Sequence, residues 1–73
     1  MELGIYKHIR TQNLYNVIRI GRRVENPTKQ VVIYEQLYES KLREENIDLP
    51  KGSTWDRDLD DFKAKFVYVS KHL

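Results

Sequence analysis

Val31-Val32-Ile33-Tyr34-Glu35-Gln36-Leu37-Tyr38 can be read two ways, and the fold turns on the choice. Its first four residues are β-branched or aromatic and favour a strand. Tyr34, Leu37, Tyr38 and Leu42, however, fall at i, i+3, i+4 and i+8. The Glu, Gln, Lys and Ser between them suit an amphipathic helix. The reading adopted for residues 34–46 divides them: a strand through about Leu37, then a short helix or helical turn within Glu39–Asn46.

Upstream, Leu14-Tyr15-Asn16-Val17-Ile18-Arg19-Ile20 reads as a strand. Thr11-Gln12-Asn13 is turn-like, so Ile5–Ile9 is expected to form the other arm of a hairpin. Gly21 is expected to end the second strand or mark a bulge. Asn26-Pro27-Thr28-Lys29 carries a turn signal. Downstream, Leu49-Pro50-Lys51-Gly52 is another turn, and Thr54–Arg57 is a short strand. Asp58 is placed to cap a turn of helix over Leu59–Phe62, with Asp60 and Asp61 near its positive end. Phe66-Val67-Tyr68-Val69 reads as the last strand, and Lys71-His72-Leu73 as a frayed end. Many short strands in one chain predict a mostly β protein, a small barrel or sandwich.

With 73 residues and no cysteine, the chain fits a single domain (ordered core about 3–70) without disulfide or thiolate metal sites. A domain of this size buries only about 60% of its unfolded surface, so its core is small. Residues 1–30 carry a net charge of +4, residues 31–62 −5 and residues 63–73 +3. That segregation, with a small core and open strand edges, predicts a homodimer. No apolar run approaches the roughly 20 residues a membrane span needs. Residues 1–8 lack a basic segment followed by an apolar one, so no signal peptide is expected. The expected location is cytoplasmic.

The ordered blocks resemble a bacterial domain-of-unknown-function family, number 1653. Gly4, Tyr6 and His8 fit its Gly-x-Tyr-x-His start. Tyr15, Val17 and Ile18 fit a Tyr-x-Val-Ile strand, and Glu25 a turn. Val31, Val32, Tyr34, Leu37 and Tyr38 fit a Val-Val-x-Tyr…Leu-Tyr block. Trp55, Arg57, Leu59 and Phe62 fit a Trp-x-Arg-x-Leu-x-x-Phe block. The resemblance implies a small SH3-like β-barrel, to which the residues themselves add a short helix or helical turns in the 39–46 and 58–62 regions. The chain departs from the pattern at Asp58, where proline is common, and at Arg23, where histidine is common. Its connection from Tyr38 to Trp55 is also longer. The resemblance implies no activity.

No residues mark a catalytic reaction. There is no cysteine nucleophile, no Gly-x-Ser-x-Gly elbow and no glycine-rich phosphate loop. Asp56, Asp58, Asp60 and Asp61 lack the features of a calcium loop and read as helix capping plus a solvated face. No metal and no cofactor is expected. The candidate ligand site is Tyr6, His8, Tyr34, Trp55 and Arg57, with Trp55 and Tyr34 as apolar walls and Arg57 and His8 orienting an acidic group. Each also has a structural reading: Trp55 as core anchor, Arg57 as an internal ion pair, His8 as a strand-edge hydrogen-bond partner. The expected function is a non-catalytic binding module for a protein or small anionic ligand. The alternative is a nucleic-acid binder using Arg19, Arg22 and Arg23. A third reading is a small enzyme with His8 as base and Arg57 as anion clamp.

Overall fold

The computed structural model describes residues 1–42 and 44–73. Among the described residues seven strands and one helix follow in order: β1 Gly4–His8, β2 Leu14–Arg23, β3 Asn26–Gln36, β4 Ser40–Leu42, β5 Ile47–Leu49, β6 Thr54–Asp58, α1 Leu59–Lys65 and β7 Phe66–Ser70. Five strands form one antiparallel sheet in the order β6-β3-β2-β1-β7, while β4 and β5 pair with each other alone.

Antiparallel register gathers the aromatic residues on one face. Tyr6 lies opposite Tyr15 and Tyr68, His8 opposite Phe66, Val17 opposite Tyr34, Tyr34 opposite Trp55, and Val32 opposite Arg57. Side chains alternate between faces along a strand, so these residues share one side. α1 covers that side. Leu59 and Phe62 lie three residues apart on its inner face, Phe66 follows at the start of β7, and the acids Asp60 and Asp61 open the helix while Lys63 and Lys65 close it. Phe62 is fully buried and stacks on Phe66 with centroids 4.0 Å apart. Tyr6 and Tyr34 meet its ring edge-on. Tyr6, Val17, Val32, Tyr34, Phe62 and Phe66 make up the core, with Tyr15 and Leu59 packed against it.

The expected SH3-like barrel is not present. The edges β6 and β7 make no hydrogen-bonded pairing with each other, so the sheet stays open. α1 runs directly from one edge strand to the other and occupies the gap. Arg57 of β6 nevertheless reaches over the Phe66 ring of β7, with Cζ 5.5 Å from its centroid. Side chains and a helix span the opening that a barrel would close with backbone pairing.

Local expectations are corrected too. The helix expected within Glu39–Asn46 is replaced by the β4–β5 hairpin, with its turn at Glu44–Asn46; Arg43, inside that span, lies outside the described residues. Helical periodicity there competes with the pull of Gln36, described below. The turn expected at Asn26–Lys29 falls earlier, at Val24–Glu25. Gly21 lies within β2 opposite Val31; the bulges lie between Val17 and Arg19 and between Arg22 and Arg23. Asp58 makes no side-chain cap on α1, because Arg23 donates to its carboxylate instead, at 3.0 and 3.3 Å.

Candidate functional site

Arg57 is the centre of the site. Its Nε donates to the Tyr34 hydroxyl at 3.3 Å and its Nη1 to Asp61 Oδ2 at 2.6 Å. Both bonds, the Tyr34 one foremost, raise its pKa further above the usual arginine range and keep it charged. Lys65 pairs with the other oxygen of Asp61 at 3.1 Å. These two cations hold the Asp61 carboxylate below its usual range. Guanidinium has five N–H donors, and two are engaged here, so donors remain for a ligand.

Two concavities border Arg57. The first, about 370 Å³, is lined by His8, Ile9, Arg10, Arg57, Ala64 and Lys65. Asp61 is the carboxylate behind it. Among the described residues Arg10 has no carboxylate at salt-bridge distance. Burial, and then the charges of Arg10, Arg57 and Lys65, push the His8 imidazole below its usual pKa. The neutral ring accepts the Thr11 N–H at Nδ1 (3.3 Å), leaving the proton on Nε2. His8 also sits edge-on to Phe66, with centroids 4.9 Å apart.

The second concavity, about 200 Å³, is lined by Tyr15, Tyr34, Gln36, Tyr38, Trp55 and Arg57. Its polar tips are engaged. The Tyr15 and Tyr38 hydroxyls lie 2.5 Å apart, the Tyr34 hydroxyl receives Arg57, and the Trp55 indole N–H donates to Gln36 Oε1 at 3.0 Å. Burial and the Tyr38 hydroxyl keep the Tyr15 phenol neutral. What remains is ring surface, and Trp55 is 38% exposed.

Gln36 builds this second wall. It is the one buried polar residue among the described residues. Its amide nitrogen reaches the Tyr38 carbonyl (2.9 Å), the Leu49 carbonyl (3.0 Å) and Ser40 Oγ (3.3 Å). One side chain thus ties β3 to the β4–β5 hairpin and to Trp55 of β6.

His8, Tyr34, Trp55 and Arg57 surround these two spaces, with Arg57 common to both. Tyr6 lines neither. It is core, its hydroxyl donating to the Glu2 carbonyl at 2.7 Å. The Arg19, Arg22 and Arg23 patch is partly spent on the protein itself. Arg22 donates to the Pro27 carbonyl at 2.8 Å, and Arg23 faces Asp58 and Asp56 at 3.0 and 4.0 Å. Arg19 is exposed. Sequence reasoning passed over Lys65, Tyr38 and Gln36 as site residues. The four-residue spacing Arg57, Asp61, Lys65 was the available signal for the first. Among the described residues no cluster of His and acids could hold a metal ion, and no helix is long and apolar enough to cross a membrane.

No family model, curated protein or solved structure matches this chain.

Proposed function

We propose that this protein is a non-catalytic binding module that recognises an acidic group on a peptide or small molecule through the cleft between His8 and Arg57. The observation that carries this reading is the concentration of Arg10, Arg57 and Lys65 on one concavity, against the single carboxylate of Asp61. An arginine with free donors, beside a second arginine with no carboxylate at salt-bridge distance among the described residues, suits a carboxylate or phosphate. Membership of the domain-of-unknown-function family 1653 is proposed on the residues quoted above, and a cytoplasmic location with it.

The enzyme reading needs a concave, partly dry pocket holding both His8 and Arg57; both line the first cleft, which is concave and open. The hydrogen bond from Thr11 N–H weighs against a base, because the free nitrogen of neutral His8 then bears the proton. As a donor, that nitrogen fits anion binding. The nucleic-acid reading is weakened by the aspartates that face Arg23. Self-association finds a candidate surface in the open edge of β7, where Val67, Tyr68 and Val69 are exposed; sedimentation at high concentration and low salt tests it.

Thermal unfolding in the presence of acetate, citrate, inorganic phosphate and a single-stranded oligonucleotide distinguishes the readings. Stabilisation by small anions should be weakened in Arg57→Gln and Arg10→Gln and kept in Arg22→Ala/Arg23→Ala. Stabilisation by the oligonucleotide alone, abolished in the double variant, would reverse the preference.

A further inference from the structure

The cationic and aromatic clefts meet at one residue, Arg57. We infer that they form a single two-part site for an aryl phosphate monoester, with the phosphate held by Arg10, Arg57 and Lys65 and the ring seated against Trp55, Tyr15 and Tyr38. This rests on the anion-binding reading above and names its ligand class.

Charge selects the anion. Arg10, Arg57 and Lys65 set against Asp61 leave two uncompensated positive charges beside a neutral His8. A carboxylate balances one of them. A phosphate monoester carries about −1.5 to −2 at neutral pH and balances both. Its three oxygens also match a cleft whose donors come from three directions: β6, the end of α1 and the segment after β1.

Shape and chemistry select the ring. A cavity of ~150 Å³ lined by apolar side chains holds one benzene ring. The aromatic cleft, at about 200 Å³, therefore suits a single six-membered ring and is small for a nucleoside. The tyrosine hydroxyls and the indole N–H around it already have partners within the protein, and the free donors of Arg57 are taken by the phosphate, so the cleft offers the ring chiefly faces for stacking. Gln36 fixes the Trp55 indole from behind, so the platform is formed before a ligand arrives.

The test is calorimetric titration with phenyl phosphate, methyl phosphate and inorganic phosphate at low salt, with Trp55 fluorescence as a second readout on the wild-type chain. Phenyl phosphate should bind roughly three- to tenfold more tightly than methyl phosphate, the range expected of one good aromatic contact. Trp55→Leu should erase that preference while methyl phosphate still binds. Arg10→Gln, an exposed change that does not touch the Asp61 pairings, should weaken both by about tenfold, as loss of one charge-assisted contact predicts. A phosphotyrosine peptide tighter than phenyl phosphate would identify a protein as the source of the aryl phosphate; a weaker one would identify a free small molecule. Equal binding of phenyl and methyl phosphate would overturn the two-part site while leaving the anion cleft standing. No binding of any phosphate, to a folded wild-type chain, would overturn both.

Discussion

Replacing Gln36 by leucine removes the polar junction between the sheet, the β4–β5 hairpin and Trp55 without leaving a large void. Three hydrogen-bonding positions are lost: two amide hydrogens shared among the Tyr38 and Leu49 carbonyls and Ser40 Oγ, and the oxygen that accepts from Trp55. At a net ~0.5–1.5 kcal/mol each, the change should cost about 2–4 kcal/mol. A 73-residue domain has about 4–11 kcal/mol in all, so this is a large share. Urea unfolding followed by circular dichroism is the assay. With a slope near 1 kcal/mol/M, the midpoint should fall by roughly 2 M or more. Trp55 emission should change in the folded state, because its indole N–H loses its protein partner. Ser53→Ala, which removes only an exposed bond to the Pro50 carbonyl, should stay within about 0.5 kcal/mol. A Gln36→Leu midpoint equal to wild type, with unchanged Trp55 emission, would refute the view that this side chain holds the aromatic wall in place.

Phe62→Ala should cost about 3–5 kcal/mol, because the fully buried ring stacks on Phe66 and touches Tyr6 and Tyr34; denaturant unfolding measures it. Gly4→Ala should destabilise by about 1–3 kcal/mol, since φ is +131° and a Cβ would lie 2.8 Å from the Ser70 carbonyl oxygen, prying β1 from the end of β7. His8 has a folded-state pKa below its unfolded value, so the unfolded chain binds the extra proton; stability should therefore fall as pH drops below about 6.5 and level off beneath the folded pKa. His8→Gln should flatten that part of a stability-against-pH curve, and a wild-type curve rising toward acid there would contradict the assignment.

Strand identity was legible where composition and alternation agreed. Leu14–Ile20, Thr54–Arg57 and Phe66–Val69 lie in strands, and the strand expected through about Leu37 ends at Gln36; the helix begins at Leu59 as expected, but without the Asp58 side-chain cap, and runs past Phe62 to Lys65. Residues 39–46 misled because helical periodicity measures only local amphipathicity, whereas Gln36 recruits the Leu49 carbonyl from beyond that segment. Closure was not legible at all. Whether β6 and β7 pair depends on where α1 crosses, which no single strand encodes. The site was half legible. Trp55 and Arg57 share a face by simple alternation, and Tyr34, the strand partner of Trp55, follows from its own block. Tyr6 obeyed the same alternation but was drawn under α1, where its hydroxyl turned to the Glu2 carbonyl. Lys65 arrives only because the helix folds back over the sheet toward Arg57.

The most direct test of the anion cleft is a nuclear magnetic resonance titration of the labelled protein with inorganic phosphate at neutral pH and low salt. It would follow the His8 ring, the Arg10 and Arg57 Nε–H groups and the Lys65 backbone amide. Saturable shifts should appear together at these four residues and be absent at Arg19 and Arg22. Shifts confined to Arg19, Arg22 and Arg23, or no saturable shift at His8 and Arg57, would contradict the cleft as the binding site.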